Sequence, residues 1–341
     1  MAINKTPYSG GTAINNFICF DLEGPLTPQD NAYDLMKIFP DGDKVFEVIS
    51  RYDDLLTMEG RHDYEPGDTL ALIVPFLILH NITEDDIADL ARKATLTGGA
   101  DELITWLKKK GWQVFCITTT YEQYAHNLTQ KLGIDGSNVA STFFKLNSYR
   151  DILCKDDATL LQEMERNILA IQDDDRLIKE KLDDFFWKKL PGTEFGRATK
   201  EVKPVGGRRK IAALKSFSKR EGQPLNEWVV VGDSITDFRM LKEVGDAGGL
   251  AIAFNANQYA LPYATMSLAS TAISDLAPVL SAWQQGGIDE TEKIVLDKEN
   301  SNCEEEKRFF HWLVNNKDLG EVISIHRRIR RLVRQEAGKL G

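Results

Sequence analysis

Five side chains capable of chemistry fall at or just past the ends of apolar runs that read as buried strands. Asp21 and Glu23 follow Asn16-Phe17-Ile18-Cys19-Phe20, Thr118 follows Val114-Phe115-Cys116-Ile117, and Asp233 and Asp237 follow Trp228-Val229-Val230-Val231. In an open α/β sheet the C-terminal strand ends converge on one crevice, where ligands bind. Carboxylates gathered there repel one another unless a hard cation sits among them. Mg²⁺, octahedral, oxygen-seeking and usually shared with a phosphate, is the natural choice. A carboxylate is also a covalent nucleophile in aspartyl-phosphate chemistry.

The elements that must position these residues follow an α/β rhythm. The run before Asp21 is short and apolar with polar flanks, as in a buried parallel strand, and Gly24-Pro25 marks the turn after it. From Thr27 to Thr97 the pattern turns helical, with apolar segments over 32–39, 45–56, 70–79 and 85–94 and a capping Thr83 followed by acids. An amphipathic helix over 99–110, the Val114 strand, a helix over 121–132 and a β-like stretch near 140–146 come next. A long amphipathic segment spans 157–190, with the acids Asp173 to Asp175 placed to bend or split it. A helix over 208–220, the Trp228 strand and a strand over 250–254 complete the pattern. This order predicts an α/β fold: a doubly wound, Rossmann-like parallel sheet with a helical cap insertion and extra helical segments. The expected divisions are 14–27, 98–150 and 195–285 for the core, 28–97 for the cap, 151–194 for a helical insertion and 286–341 for a C-terminal helical extension.

Composition narrows the function classes. The chain has 341 residues, 42% hydrophobic and 28% charged, with a net charge of −10. That excludes a largely disordered chain and argues against a general nucleic-acid binder, which needs a basic face. The longest apolar run, Leu70 to Leu79, contains Pro75 and is too short to span a bilayer. No apolar signal region stands in 1–16, and four scattered cysteines show no metal-finger spacing. A reduced, cytoplasmic setting is expected, with Cys116 a buried core residue and the histidines structural or solvated. Near the C-terminus an acidic run over 289–306 precedes a basic helix bearing Arg327, Arg328, Arg330, Arg331 and Arg334, with Val322, Ile325, Ile329 and Leu332 as its apolar stripe. A solvated basic face is expected there. The alternatives are docking of an acidic protein partner, an oligomer contact, or the chain's own acidic run.

The set Asp21-Leu22-Glu23, Thr118, Lys210 and Gly232-Asp233-Ser234-Ile235-Thr236-Asp237 resembles the motifs of the haloacid dehalogenase (HAD) superfamily of phosphohydrolases. The helical block after the first motif, Leu96-Thr97-Gly98-Gly99-Ala100 and Phe254-Asn255-Ala256-Asn257 are similar to its phosphoserine phosphatase group. Asp21-Leu22-Glu23-Gly24 also resembles a phosphoserine:homoserine phosphotransferase and the enolase-phosphatase of methionine salvage. The longer string Phe20 to Pro25, with Asp30-Asn31-Ala32, resembles proteins labelled energy-converting hydrogenase A subunit R.

The resemblance implies a Mg²⁺-dependent phosphohydrolase acting on a small phosphorylated metabolite through an aspartyl-phosphate. Asp21 is then the nucleophile and Glu23 the acid that protonates the leaving alcohol. Thr118 and Lys210 hold the phosphoryl oxygens, with Thr119 the rival to Thr118, and Lys200 and Lys203 the rivals to Lys210. Asp21, the backbone carbonyl of Glu23, and Asp233 bind the metal, supported by Asp237. A phosphotransferase, a catalytically reduced accessory protein and, more weakly, a dehalogenase are the alternative functions. Two departures from the family pattern stand out. Glu23 replaces the commoner Asp, and Thr69-Leu70-Ala71 stands where a cap arginine is expected. Asp30 matches the family's cap acid and Arg61 is the nearest alternative clamp, so phosphoserine is expected to be a poor substrate.

Overall fold

A computed structural model describes residues 16–149, 155–171, 174–302, 305, 307–315 and 318–335. The N-terminal segment, Cys154, Asp173, Cys303 and part of the acidic run, on which expectations were placed, lie outside the described residues. The sheet is built from β1 (Asn16–Phe20), β2 (Trp112–Tyr121), β3 (Val139–Thr142), β4 (Trp228–Gly232), β5 (Leu250–Phe254), β6 (Met266–Ser270) and β7 (Arg308–Trp312). Their order across the sheet is β3-β2-β1-β4-β5-β6-β7, parallel throughout except for the antiparallel β6–β7 pair. Both faces of β1 are covered, which explains why Phe17 to Phe20 are apolar without alternation. Phe17 and Cys19 enter one core with Phe115 and Trp228, and Ile18 and Phe20 enter the other with Val114 and Val229.

The central connections run outward from β1 through β2 to β3, then return to the other side of β1 at β4. The topological switch point therefore lies between β1 and β4, the strands that carry Asp21 and Asp233. Strand β2 runs on past Ile117 to Tyr121, so Thr118 to Thr120 are strand residues and not a loop. β-branched threonines suit that extension, and the Thr142 hydroxyl donates to the Thr119 carbonyl at 2.5 Å.

Strands β6 and β7 carry no strand expectation in the sequence reading, and β7 lies within the segment expected to be a helical extension. Its RFFHW run buries Phe309, Phe310 and His311, and it is framed by the helices Ala277–Glu299 and Gly320–Arg334. The first of these is interrupted at Gly286 and Gly287, where Gly287 takes a φ of +62°.

The insertion after β1 comprises helices Asn31–Met36, Gly42–Glu59, Thr69–Leu72, Val74–Leu79 and Glu84–Lys93. Thr83 and Asp86 form a capping box at the last of them. The segment after β3 holds helices Lys155–Leu169 and Asp175–Asp184, the second capped by Asp174, which accepts from the Leu177 N–H at 3.0 Å. These helices buttress the cap. Arg51 pairs with Asp175 at 2.6 Å, and Tyr52 bonds Asp183 and accepts from Trp187 Nε1 at 2.6 Å. Among the described residues, no helix is long and apolar enough to cross a membrane.

Candidate active site

Asp21 follows β1 directly, and its N–H continues the β1–β4 pairing by donating to the Val231 carbonyl at 2.8 Å. Lys210 enters from the first turn of the helix Arg208–Glu221. Its fully buried Nζ lies 2.7 Å from Asp21 Oδ2 and 2.7 Å from Asp237 Oδ1. The other oxygen of Asp237 accepts the N–H groups of Asp233 at 3.0 Å and Ser234 at 3.1 Å. Asp237 thus holds the lysine and folds the loop that carries Asp233, and makes no side-chain cap for the helix Phe238–Ala247. Gly24 has a φ of +91°, and a Cβ there would fall 2.2 Å from Asp233 Oδ2. Only glycine combines that left-handed conformation with so close an approach.

Asp21, Asp233 and Asp237 each offer a carboxylate oxygen within 4.8 Å of the others, all buried. A buried, all-oxygen set of this kind fits a hard divalent cation such as Mg²⁺. The Glu23 carboxylate is not part of it. It turns to accept the N–H of Asn31, leaving only its backbone carbonyl for the metal role expected of this residue.

The electrostatics divide the acids by task. Burial, then the Asp237 charge, push Asp21 up to about 8 against the pull of Lys210. Burial alone would lower the Lys210 ammonium, but Asp21 and Asp237 outweigh it and keep the lysine charged. For Glu23, burial and the nearby Asp30 raise the carboxyl well above its usual range, while the Asn31 N–H and Arg334 pull it back. The net shift favours the protonated form of Glu23.

A cavity of about 110 Å³ opens onto Asp21, Glu23, Asp30, Thr119 and Asp233, roofed by cap residues such as Phe46, Ser50, Asp53 and Thr69. Thr118, the expected phosphoryl-binding hydroxyl, is wholly buried, and its Oγ1 accepts from the Thr120 N–H at 3.2 Å. The hydroxyl-bearing residue of this strand at the cavity wall is Thr119, one position on, because successive strand residues face opposite ways. Asp30 reaches the cavity while capping the helix Asn31–Met36, accepting from Tyr33 N–H at 2.9 Å.

Two expectations need correction. Arg61 is no clamp for this cavity. Its guanidinium stacks 4.3 Å from the Trp187 ring and pairs with Asp183 at 3.3 Å, away from the site. The basic C-terminal helix is no purely solvated face either. Arg330 and Arg334 are buried and both bind Asp233 Oδ2, Arg334 Nη1 at 2.9 Å. The buried face is Val322, His326, Ile329, Arg330 and Arg334, whereas Leu332 of the expected stripe is 49% exposed. The available signal was the four-residue spacing of Val322, His326, Arg330 and Arg334, which puts both arginines on the inward face.

No protein-family model matches the chain. Among curated proteins it is similar to a phosphoserine phosphatase of Streptomyces coelicolor, 25% identical over 214 residues and 63% of this chain, and to one of Archaeoglobus fulgidus, 22% identical over 276 residues and 80% of this chain. It spans 38% and 62% of the lengths of those two relatives. A solved gene product of Archaeoglobus fulgidus superposes with a TM-score of 0.84 at 27% identity, covering 96% of this chain and 99% of that one. A phosphoserine phosphatase solved as an analogue of its phospho-aspartyl intermediate shares the fold, with a TM-score of 0.51 at 19% identity over 77% of this chain and 98% of its own. Sheet topology and these likenesses make the chain similar to phosphoserine phosphatases in sequence and in fold.

Proposed function

We propose that the protein is a Mg²⁺-dependent phosphomonoesterase acting on a small phosphorylated metabolite through an aspartyl-phosphate on Asp21. The observation that carries this reading is the buried convergence of Asp21, Lys210, Asp233 and Asp237 beside Glu23 at the sheet's switch point. Asp21 attacks phosphorus and the bond from phosphorus to the leaving oxygen breaks. Glu23 gives that oxygen its proton. Glu23, now ionised, takes a proton from water, and the hydroxide attacks the phosphorus of the acyl phosphate to release phosphate and free Asp21. Lys210 offsets charge on the transferring group, Thr119, whose hydroxyl donates to the Val205 carbonyl at 3.1 Å, lines the cavity wall, and Thr118 secures the strand end behind. Mg²⁺, held by Asp21 and Asp233 with Asp237 in support, would supply Lewis-acid charge stabilisation.

The cap is seated closely on the core. Gly67 approaches Thr119 and Thr236 so closely that a Cβ would meet the Thr119 methyl at 2.8 Å, and Glu65 and Asp68 bind Arg208 and Arg209. The test is a panel of phosphate esters, phosphoserine among them, assayed with Mg²⁺, with and without an added alcohol acceptor. The Asp21→Asn protein serves as the blank. Mg²⁺-dependent release of phosphate lost in the blank supports the reading, and phosphate release undiminished in the blank removes it.

A further inference from the structure

We propose that the C-terminal helix Gly320–Arg334 supplies the substrate clamp, with Arg330 and Arg334 binding a second anionic group, a carboxylate or a phosphate, on the leaving-group side of the ester. This rests on the phosphomonoesterase reading and adds to it the substrate class and the residues that select it. Arginine is seldom buried unless paired, yet both guanidiniums here are 5% exposed and reach the same oxygen of Asp233. Arg334 is anchored by Nε to the Pro28 carbonyl at 3.1 Å and by Nη2 to that of Gln29 at 3.4 Å, where the cap leaves the core. Arg330 also reaches the Asn255 carbonyl at 3.3 Å, past the end of β5.

Placement sets the pair apart from Lys210. The lysine binds Asp21 and Asp237, around the nucleophile, whereas Arg334 lines the cavity together with Glu23, the residue proposed to meet the leaving oxygen. A group close to both Glu23 and the cap hinge touches what the phosphoryl group is leaving. The cap's own arginines are committed elsewhere, Arg51 to Asp175, Arg61 to Trp187 and Asp183, and Arg92 to Asp89. Among the described residues lining the cavity, the cationic ones are Arg330 and Arg334. A cation shared by Asp233 weakens that carboxylate's hold on the guanidiniums, and their planar forks then suit an oxyanion.

The test compares 3-phosphoglycerate and 1,3-propanediol bisphosphate with glycerol 3-phosphate, which lacks the second anion, in the wild-type protein and in Arg330→Gln, Arg334→Gln and Arg334→Lys. The wild type should prefer at least one dianionic-tail ester over glycerol 3-phosphate in kcat/KM. Which one it prefers distinguishes carboxylate from phosphate. Each Gln variant should lower that ratio roughly 10- to 100-fold, chiefly through KM, with partial recovery in Arg334→Lys. Calorimetry with Mg²⁺ reads binding without turnover, and 3-phosphonopropionate should bind the wild type more tightly than propylphosphonate. An unchanged ratio in folded variants overturns the clamp, even if their Mg²⁺ affinity rises. Equal binding of the two phosphonates to the wild type overturns it whether or not the variants fold. If no ester is hydrolysed but phosphonate selectivity is present and arginine-dependent, the clamp stands and the phosphatase reading falls.

Discussion

Asp21 and Glu23 are two residues apart and both buried, yet their partners assign them opposite tasks. Asp21 faces an ammonium at 2.7 Å, which opposes the rise that burial and Asp237 impose and pulls its carboxyl back toward the ionised form that a nucleophile needs. Glu23 faces a backbone N–H and the neighbouring Asp30, and burial pushes its carboxyl up, toward the protonated form that a general acid needs. Asp21→Asn should abolish turnover, because an amide cannot form the acyl phosphate, and single-turnover trapping should show no phosphoprotein. Glu23→Gln should slow kcat by roughly 10²- to 10⁴-fold, the span of lost general acid–base help. The loss should be smallest with esters whose leaving group needs no proton, such as 4-nitrophenyl phosphate. Gly24 is the third residue of consequence here. Gly24→Ala puts a methyl against the Asp233 carboxylate, so calorimetry should show weakened Mg²⁺ binding even in protein that folds.

At the scale of elements, the cap is held over the site by polar groups that are themselves buried. Asp53, on the helix Gly42–Glu59, accepts from the Tyr64 hydroxyl at 2.6 Å and from the Gly67 N–H at 3.3 Å. Burial raises its carboxyl to about 7, opposed by the Tyr64 bond and assisted by Asp54. A raised folded-state value means that the folded protein binds more protons than the unfolded chain between about pH 4 and 7. Asp53 therefore makes stability fall as pH rises through that window, with a slope of at most about 1.4 kcal/mol per pH unit, and adds no further slope above it. Asp53→Asn should remove this contribution. Its stability relative to wild type should rise from pH 4 to 7 in denaturant titrations and then level off.

For the whole molecule, three segments distant in sequence close one site. The core supplies Asp21, Lys210 and Asp233, the cap the roof, and the C-terminal helix the arginines on Asp233. Ligand binding should stabilise the assembly by mass action. Mg²⁺ at 100 times its Kd should add about 2.7 kcal/mol to the unfolding free energy. That gain should vanish in Asp233→Asn, as read by thermal unfolding with and without the ion.

The motif residues were legible because their positions are local. Apolar runs end at Asp21 and Asp233, and a helix start carries Lys210, so strand periodicity and order were enough to bring them to one crevice. The cap helices and the split after Leu169 were legible for the same reason, through period, capping residues and turn chemistry. Strand β7 was not, because its RFFHW run becomes a strand only by pairing with β6, a contact that no local pattern encodes. Thr119 rather than Thr118 lines the cavity because β2 continues past Ile117, and the alternation along that extension decides which side chain reaches it. Arg330 and Arg334 look like surface charge on an amphipathic helix. What buries them is the docking of that helix across the ends of β4 and β5, where a carboxylate more than ninety residues earlier receives both. Sequence determined the elements other than β6 and β7, and the chemistry of the strand ends. Only tertiary packing decided which charges face that chemistry, because burial against a distant segment turns a solvated arginine into part of a site.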